Sequence, residues 1–403
     1  MRTPAADAAE HRVLTTEAGR ELLAEVAWVR RLEPVDVARW RRSHPAEHVA
    51  AAIRLADSRR RGATKFAQAD RMWFDPVGLE QATAESVARH KAARFAGGLV
   101  FDLCAGIGGD TLGMAGAGAD VVAVDLDGGM NRRARWNAEV HGLGHRVAPV
   151  KARAEEITLP AGALVHVDPD RRAAGGGNGA SPRARSIEDY APSLPFLRGL
   201  ATSGRGGAIK LGPAADFSGG FGDLPVEIEL ISLGGECKEA TVWFGPLAGV
   251  CRRATCLTGG ATWTDRDASD EPARPSAAVS PRAGSWAFDP DPTLGRAGLL
   301  DGFAAAHGLS RVAPGCDLLT GPNRVDSPFL AAFAVDESMP LDLKRLRRLV
   351  VDRNLGPLEI KTRGLDLTPE ALRKALRPEG STPATLLLVG GRGPSLALLA
   401  RRG

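Results

Sequence analysis

Two clusters in the middle of the chain hold residue types from which a binding and transfer site can be built. In the first, Phe101-Asp-Leu-Cys-Ala-Gly-Ile-Gly-Gly-Asp-Thr111, an apolar run ends at Asp102 and small residues follow at once. Gly106, Gly108 and Gly109 let the backbone turn tightly and let a ligand approach where a Cβ would collide. A helix starting there would offer that ligand unpaired N–H groups. A second apolar run ends at Asp125, in place to accept hydrogen bonds from a ribose diol. The third glycine of a nicotinamide-type G-x-G-x-x-G would fall at Thr111, which disfavours that class of cofactor. The bland alternative is a tight turn that binds nothing.

The second cluster is Val167-Asp-Pro-Asp-Arg-Arg172, with Lys210 at the end of a later run. In an open α/β sheet, ligands gather outside the carboxyl ends of the strands, which places Asp168, Pro169, Asp170 and Arg171 at the same cleft. The plane of Arg171 can stack on a base or bind a phosphate. Otherwise Arg171 and Arg172 form a surface ion-pair cluster and Lys210 is a solvated charge.

Such residues need a scaffold, and the hydrophobic pattern supplies one. Strand-like runs recur at 99–103, 121–125, 147–150, 164–168, 207–211, 226–233 and 240–244. The first five alternate with helix-like or loop segments, and the last two are close enough to form a hairpin. This predicts a doubly wound α/β sheet with one antiparallel strand at its edge. Upstream, Leu22, Leu23, Val26 and Val29 recur at helical spacing. A further helix is expected from Asp75 as N-cap and Pro76 at the first position as far as Phe95. The polar segment 250–290 reads as a linker. Beyond it come a helix at 295–307, a helix at 342–354, a strand at 357–361, a helix after Thr368-Pro369, and strands at 384–389 and 395–401.

At 403 residues the chain exceeds one compact core. Four regions are expected: 1–95 helical, 96–248 with the Rossmann-like sheet, 249–340 connecting, and 341–403 a small α/β module. Apolar residues at 44% and charged residues at 25% describe a soluble globular protein, not a disordered or fibrous one. The start carries no apolar leader, and no apolar run approaches ~18 residues, so a cytoplasmic protein without membrane contact is expected. Five scattered cysteines do not make a disulfide framework, and Cys251 and Cys256 lack a second pair to complete a metal site. Net charge is +4, but residues 341–403 hold 13 Lys and Arg against 6 Asp and Glu, a balance of +7. A segregated basic module is the usual footprint of an anionic partner.

The stretch Asp102-Leu-Cys-Ala-Gly-Ile-Gly-Gly-Asp-Thr111 closely resembles motif I of class I S-adenosylmethionine (SAM)-dependent methyltransferases. The resemblance implies SAM as cofactor, with Asp102 near its methionine end. Cys104, Ala105, Gly106 and Gly108 would line the turn beside its sulfonium and ribose. Asp125 matches the ribose-binding acid, with Leu126 after it, and Asp127 fits the N-cap of the next helix. The adenine position falls at Ala154, within Arg153-Ala-Glu155, which departs from the common Gly-Asp-Ala form. Cys104, inside the turn, reads as a packed side chain and not a nucleophile.

Class I enzymes that methylate exocyclic amines carry (Asp/Asn)-Pro-Pro-aromatic after the fourth strand. The side-chain oxygen and a backbone carbonyl accept hydrogen bonds from the target NH₂ and aim its lone pair at the methyl group. Asp168 and Pro169 match this pattern, and they also give Asp168 a place beside the cofactor; Asp170 and Arg171 do not match. RNA cytosine-C5 methyltransferases resemble the glycine turn but place a catalytic Cys where Asp170 stands. The domain is also similar to cap-guanine-N2 (trimethylguanosine) enzymes, whose double proline and aromatic are missing here.

Residues Val351 to Asp366, Leu372-Arg-Lys-Ala-Leu-Arg-Pro378 and the closing strands resemble the THUMP-like domain that follows a methyltransferase domain in a group of bacterial proteins. Upstream, Lys65-Phe66, Ala69-Asp-Arg-Met-Trp-Phe74 and Leu79-Glu-Gln-Ala-Thr83 extend the likeness. THUMP domains bind RNA, often tRNA, in modification enzymes. The expectation is thus a methyltransferase acting on a tRNA or rRNA base. A methyltransferase of proteins or small molecules, and a non-catalytic RNA-binding protein, are the alternatives. The loop Gly175-Gly-Gly-Asn-Gly-Ala-Ser-Pro-Arg183 is expected beside the acceptor site.

Overall fold

The computed structural model describes residues 4–171, 187–267, 278–280, 283–390 and 395–403. The side chains of Pro4 and Arg171 and the loop 175–183 lie outside the described residues. Two compact units divide the chain: Met1–Pro225 together with Val242–Ala248, and Val226–Thr241 together with Gly249–Gly403.

In the first unit the apolar runs become five parallel strands: β1 (Leu99–Leu103), β2 (Asp120–Asp125), β3 (Val147–Lys151), β4 (Leu164–Val167) and β5 (Gly207–Leu211). Their order is β5-β4-β1-β2-β3, so the chain reverses direction across the sheet between β1 and β4. That reversal is the topological switch point of a doubly wound fold, where a crevice opens at the carboxyl ends of the strands. Val100, Val121, Ala123, Ala208 and Trp243 fill the core around this sheet. The Arg94 guanidinium lies 4.2 Å above the Trp243 ring.

Helices α1 (Pro4–Thr15), α2 (Glu17–Trp28), α3 (Pro34–Trp40) and α4 (Ala46–Gly62) precede the sheet. They share a core of Leu22, Val26, Trp40, Val49, Leu55 and Trp73. The predicted helix from Asp75 to Phe95 is broken into α5 (Pro76–Gln81) and α6 (Glu85–Ala92), closed by a 3₁₀ turn at Ala93–Phe95. Asp75 is the N-cap, accepting from Val77 and Gly78 N–H. The break has a physical cause: Lys65 Nζ donates to the Leu79, Glu80 and Ala82 carbonyls, each at 2.8 Å, and satisfies the end of α5.

Two further helices join the strands: α7 (Gly109–Gly116) and α8 (Gly128–Val140). Buried Arg133 of α8 pairs with Asp7 and Glu10 of α1, both at 2.8 Å, and sits 4.9 Å over the Trp73 ring. The helical region is thereby anchored to the helix that follows β2.

In the second unit, β6 (Glu227–Leu233) and β7 (Glu236–Phe244) form the expected hairpin, turned on Gly234 and Gly235, both at positive φ. Strand β7 ends in the first unit, where the Phe244 ring crowds the Gly207 position of β5. It is flanked by β5 and β6 and is not a margin of the sheet. The segment expected to be a linker holds β8 (Arg252–Cys256), parallel to β6, and β9 (Ala261–Thr264), antiparallel to β8. Its polar composition concealed a strand because partners inside the sheet take up the polarity. Fully buried Glu227 accepts from Gly249 N and Arg253 Nε, and Thr255 donates to buried Glu229 at 2.6 Å.

The remaining chain builds a second sheet from β10 (Trp286–Pro290), β11 (Leu319–Gly321), β12 (Leu330–Pro340), β13 (Leu355–Arg363), β14 (Thr382–Val389) and β15 (Leu396–Arg402). Ser310–Arg311 pairs outside β11, and the order continues β11-β10-β12-β15-β14-β13. The expected helix at 295–307 is two short ones, α9 (Pro292–Arg296) and α10 (Leu300–Ala306). On the sheet pack α11 (Leu343–Asp352), which buries Leu346 and Val350, and α12 (Pro369–Leu376), which buries Leu372 and Leu376. Among the described residues no helix is long and apolar enough to cross a membrane.

Candidate functional site

The glycine turn between β1 and α7 is shaped by backbone that few side chains tolerate. Cys104 has φ +62°, Gly106 +56° and Gly108 +91°. A Cβ on Gly108 would stand 3.2 Å from the Ala134 Cα of α8, whereas one on Gly106 would meet nothing within 4 Å. Ala105 N–H donates to the Val124 carbonyl at 3.0 Å, which ties the turn to β2. Asp125, at the end of β2, accepts from Gly106 N at 2.9 Å and from Asp127 N at 2.8 Å, one bond on each oxygen. Burial pushes its carboxyl up, and these two N–H groups partly offset that. Asp127 caps α8 through Gly129 N, as its position suggested. Leu126 is exposed, and Ala154 is buried in the 3₁₀ turn after β3.

Asp102 stands on β1 and Asp168 directly after the end of neighbouring β4, with Asp168 N donating to the Leu103 carbonyl at 3.1 Å. The Asp102 carboxylate, 1% exposed, is taken up below the turn by Thr111 and by His166, whose Nδ1 lies 2.7 Å away. Its side chain therefore faces the core and not the crevice. Burial pushes the Cys104 thiol far up, and the carboxylates of Asp125 and Asp168 push it further, so it is no thiolate nucleophile.

At the acceptor end, Lys210 on β5 is not a solvated charge. Its Nζ lies 2.6 Å from Asp168 Oδ2 and 3.1 Å from the Gln81 carbonyl, with 13% of the side chain exposed. Burial raises the Asp168 carboxyl, and Lys210 pulls it back. Gln81 also donates to Asp170 Oδ1 at 3.0 Å, so one residue of α5 links both acids of the motif. Pro169 is buried, and the Arg171 backbone pairs with Tyr190.

Beneath the turn lies a buried group that sequence reasoning missed. Lys91 of α6 pairs with Asp110 at 2.7 Å, and Thr83 donates to the same carboxylate at 2.6 Å. His166 Nε2 lies 3.9 Å from Asp110 Oδ2. Burial alone would lower the His166 pKa, but the Asp110 and Asp102 carboxylates outweigh it and raise it. A protonated imidazole would balance the charge of two acids against one ammonium. The sequence signals were a histidine in the otherwise apolar run 163–167 and the Leu79–Thr83 stretch of the family likeness, which holds Gln81 and Thr83 but assigns them no role; no local pattern pointed to Lys91.

Over 321 aligned residues, covering 78% of this chain and 84% of the relative, the sequence is 34% identical to an S-adenosylmethionine-dependent methyltransferase of Mycobacterium tuberculosis, present in strains H37Rv and CDC 1551. The chain belongs to the S-adenosylmethionine-dependent methyltransferases. SAM is accordingly the cofactor of this methyltransferase, and one-carbon transfer its activity. A crystal structure assigned as a methyltransferase, from Porphyromonas gingivalis W83, shares the fold at a TM-score of 0.71 and 19% identity, over 95% of this chain and 98% of the other. Residues 330–402 of the methyltransferase match a family described as THUMP domain-like. Residues 7–62 match a domain of unknown function (DUF8688).

Proposed function

We propose that this methyltransferase modifies a nucleobase of tRNA or rRNA, at an exocyclic amine. One observation carries the reading: on α11 the THUMP domain-like module presents two exposed arginines outside its ion pairs. Arg347 and Arg348 on α11 are exposed, and among the described residues neither has a carboxylate partner, while Lys344, also exposed, lies near the N-cap Asp342. Phosphate contacts supply most non-specific affinity for nucleic acid, and an unpaired basic face suits them.

SAM supplies an electrophilic methyl group carried on a sulfonium. The turn fits it, because Gly106 leaves open space where a Cβ would stand and each Asp125 oxygen accepts one backbone N–H, leaving lone pairs for a ribose diol. Asp125 would hold the ribose, with Leu126 beside it and Ala154 at the adenine. The backbone of Asp102, Cys104, Ala105 and Gly108 would line the methionine end. Asp168 Oδ1 and the Pro169 carbonyl would orient the amine, while Lys210 holds Oδ2 and opposes the upward pull of burial on the acid. Asp170 and Arg171 would border the acceptor. Methyl transfer from a sulfonium is downhill, so holding the reacting atoms in line supplies much of the rate.

A protein or small-molecule acceptor is the second reading: with Lys210 on Oδ2, the Asp168 Oδ1 could orient an amine of any acceptor, not a base amine alone. Mass spectrometry of ribonucleosides from normal and gene-deleted cells separates the two. A methylated nucleoside missing from the deletion supports the RNA reading. Identical profiles, with no turnover of undermodified RNA, refute it.

A further inference from the structure

The last turn of α2 and the chain after it carry a surface that neither the core nor the methyl-transfer site uses. Trp28 is 87% exposed, and Leu32 and Val35, a few residues on, are 45% and 67% exposed. A tryptophan is rarely left in water to this degree, since its ring is among the largest apolar surfaces a chain can bury. Arg30 and Arg31 follow it in the chain and Arg41 and Arg42 close α3; all four are exposed, and among the described residues none of them has a carboxylate partner. Trp40 Nε1 donates to Glu25 Oε2 at 2.9 Å, which brings the end of α3, with Arg41 and Arg42 behind it, beside the turn that carries Trp28. The acids nearest in sequence make hydrogen bonds, Glu33 in a capping box with Asp36. Glu25 holds Trp40, and Asp36 accepts from Glu33 N at 3.3 Å at the start of α3.

We propose that this face of the helical region is a docking surface for unpaired nucleotides of RNA, with Trp28 as the platform on which a base stacks and the four arginines as its phosphate contacts. Charge complementarity selects this occupant. A protein-binding patch is depleted of unpaired charge at its centre, whereas an aromatic face set among free cations is the recurrent form of single-strand binding. The surface lies within the match to the domain of unknown function, to which it gives a role. The inference rests on the reading that the acceptor is RNA.

The test is fluorescence anisotropy with labelled dodecameric oligouridylate and a dodecamer RNA duplex, using the full chain, W28A, W28F and R30E/R31E. Trp28 is exposed, so melting temperatures should match the parent. Removing the platform for one stacked base weakens oligouridylate binding by about 5- to 150-fold in W28A, the equivalent of about 1–3 kcal/mol. Duplex binding should hardly change, and W28F should keep most of the affinity. R30E/R31E should flatten the salt dependence of log K by about one unit for each phosphate that is no longer neutralised. Wild-type binding that is unaltered in W28A and R30E/R31E overturns this inference while leaving the RNA reading intact. No binding of either RNA by the wild type also overturns this inference, while the ribonucleoside comparison decides the RNA reading separately. A changed oligomeric state in W28A with unchanged RNA affinity reassigns the face to a second copy of the chain.

Discussion

Replacing Asp125 by alanine separates holding the turn from holding the cofactor. The carboxylate has two structural bonds, to Gly106 N at 2.9 Å and Asp127 N at 2.8 Å, and its remaining lone pairs are assigned to a ribose diol. Hydrogen bonds to a charged partner contribute about 1.5–3 kcal/mol each. Losing a bidentate diol interaction therefore costs roughly 3 kcal/mol, an increase in Kd of about 150-fold. At a SAM concentration 100 times the wild-type Kd, binding stabilises the protein by about 2.7 kcal/mol, and in the variant by only about 0.3 kcal/mol. Two readings are needed: melting without SAM, which reports the lost backbone bonds, and the increment on adding SAM, which reports the diol. Isothermal calorimetry below the melting point gives the affinity directly. The expected pattern is a modest fall in the apo melting temperature and near-complete loss of the SAM increment. An unchanged increment, with the apo form destabilised, would refute the assignment and leave Asp125 a brace for the glycine turn alone.

Two further outcomes follow from buried charge. Lys210→Met removes the cation that pulls the Asp168 carboxyl down, so the acid limb of the pH–rate profile should move to higher pH. With the carboxylate no longer held, kcat/KM should fall about ten- to 150-fold, for an interaction of about 1.5–3 kcal/mol; an acid limb at its original pH would sink the role given to Lys210. His166 has a folded-state pKa above its ordinary 6.5, so its contribution to stability is fully present below pH 6.5 and is lost as pH rises through the higher folded value. Melting temperature followed upward from pH 6 should decline over that window in the parent and lose that component in His166→Gln. Identical slopes would mean that the imidazole is not charged.

Much of the scaffold was legible because its signals are local. The runs at 99–103 and 207–211 are strands with those limits, and their neighbours differ by a few residues. Capping by Asp75 and Asp127 could be read from Asp-Pro and from an acid set just ahead of a helical pattern. The break at 82–84 and the strands at 252–264 were not legible. Each depends on partners distant in sequence: Lys65 reaching the end of α5, and Glu227 and Glu229 satisfying a polar strand from inside the sheet.

The same division runs through the site. Motif I, with Asp125 at the next strand end, by itself carried the resemblance to SAM-dependent methyltransferases and the expectation of a Rossmann-like sheet, because a glycine turn at a strand–helix junction is a short-range pattern; the 34% identical relative showed the family. Only the tertiary structure decided that the Asp102 carboxylate points into a buried group with Thr111 and His166, and that Lys210 and Gln81 converge on Asp168 and Asp170. Those bonds join residues 9, 64, 129, 42 and 89 positions apart. A burial-strengthened charge pair leaves no periodic trace along the chain. It exists because the fold removes water from between two groups that the sequence keeps apart.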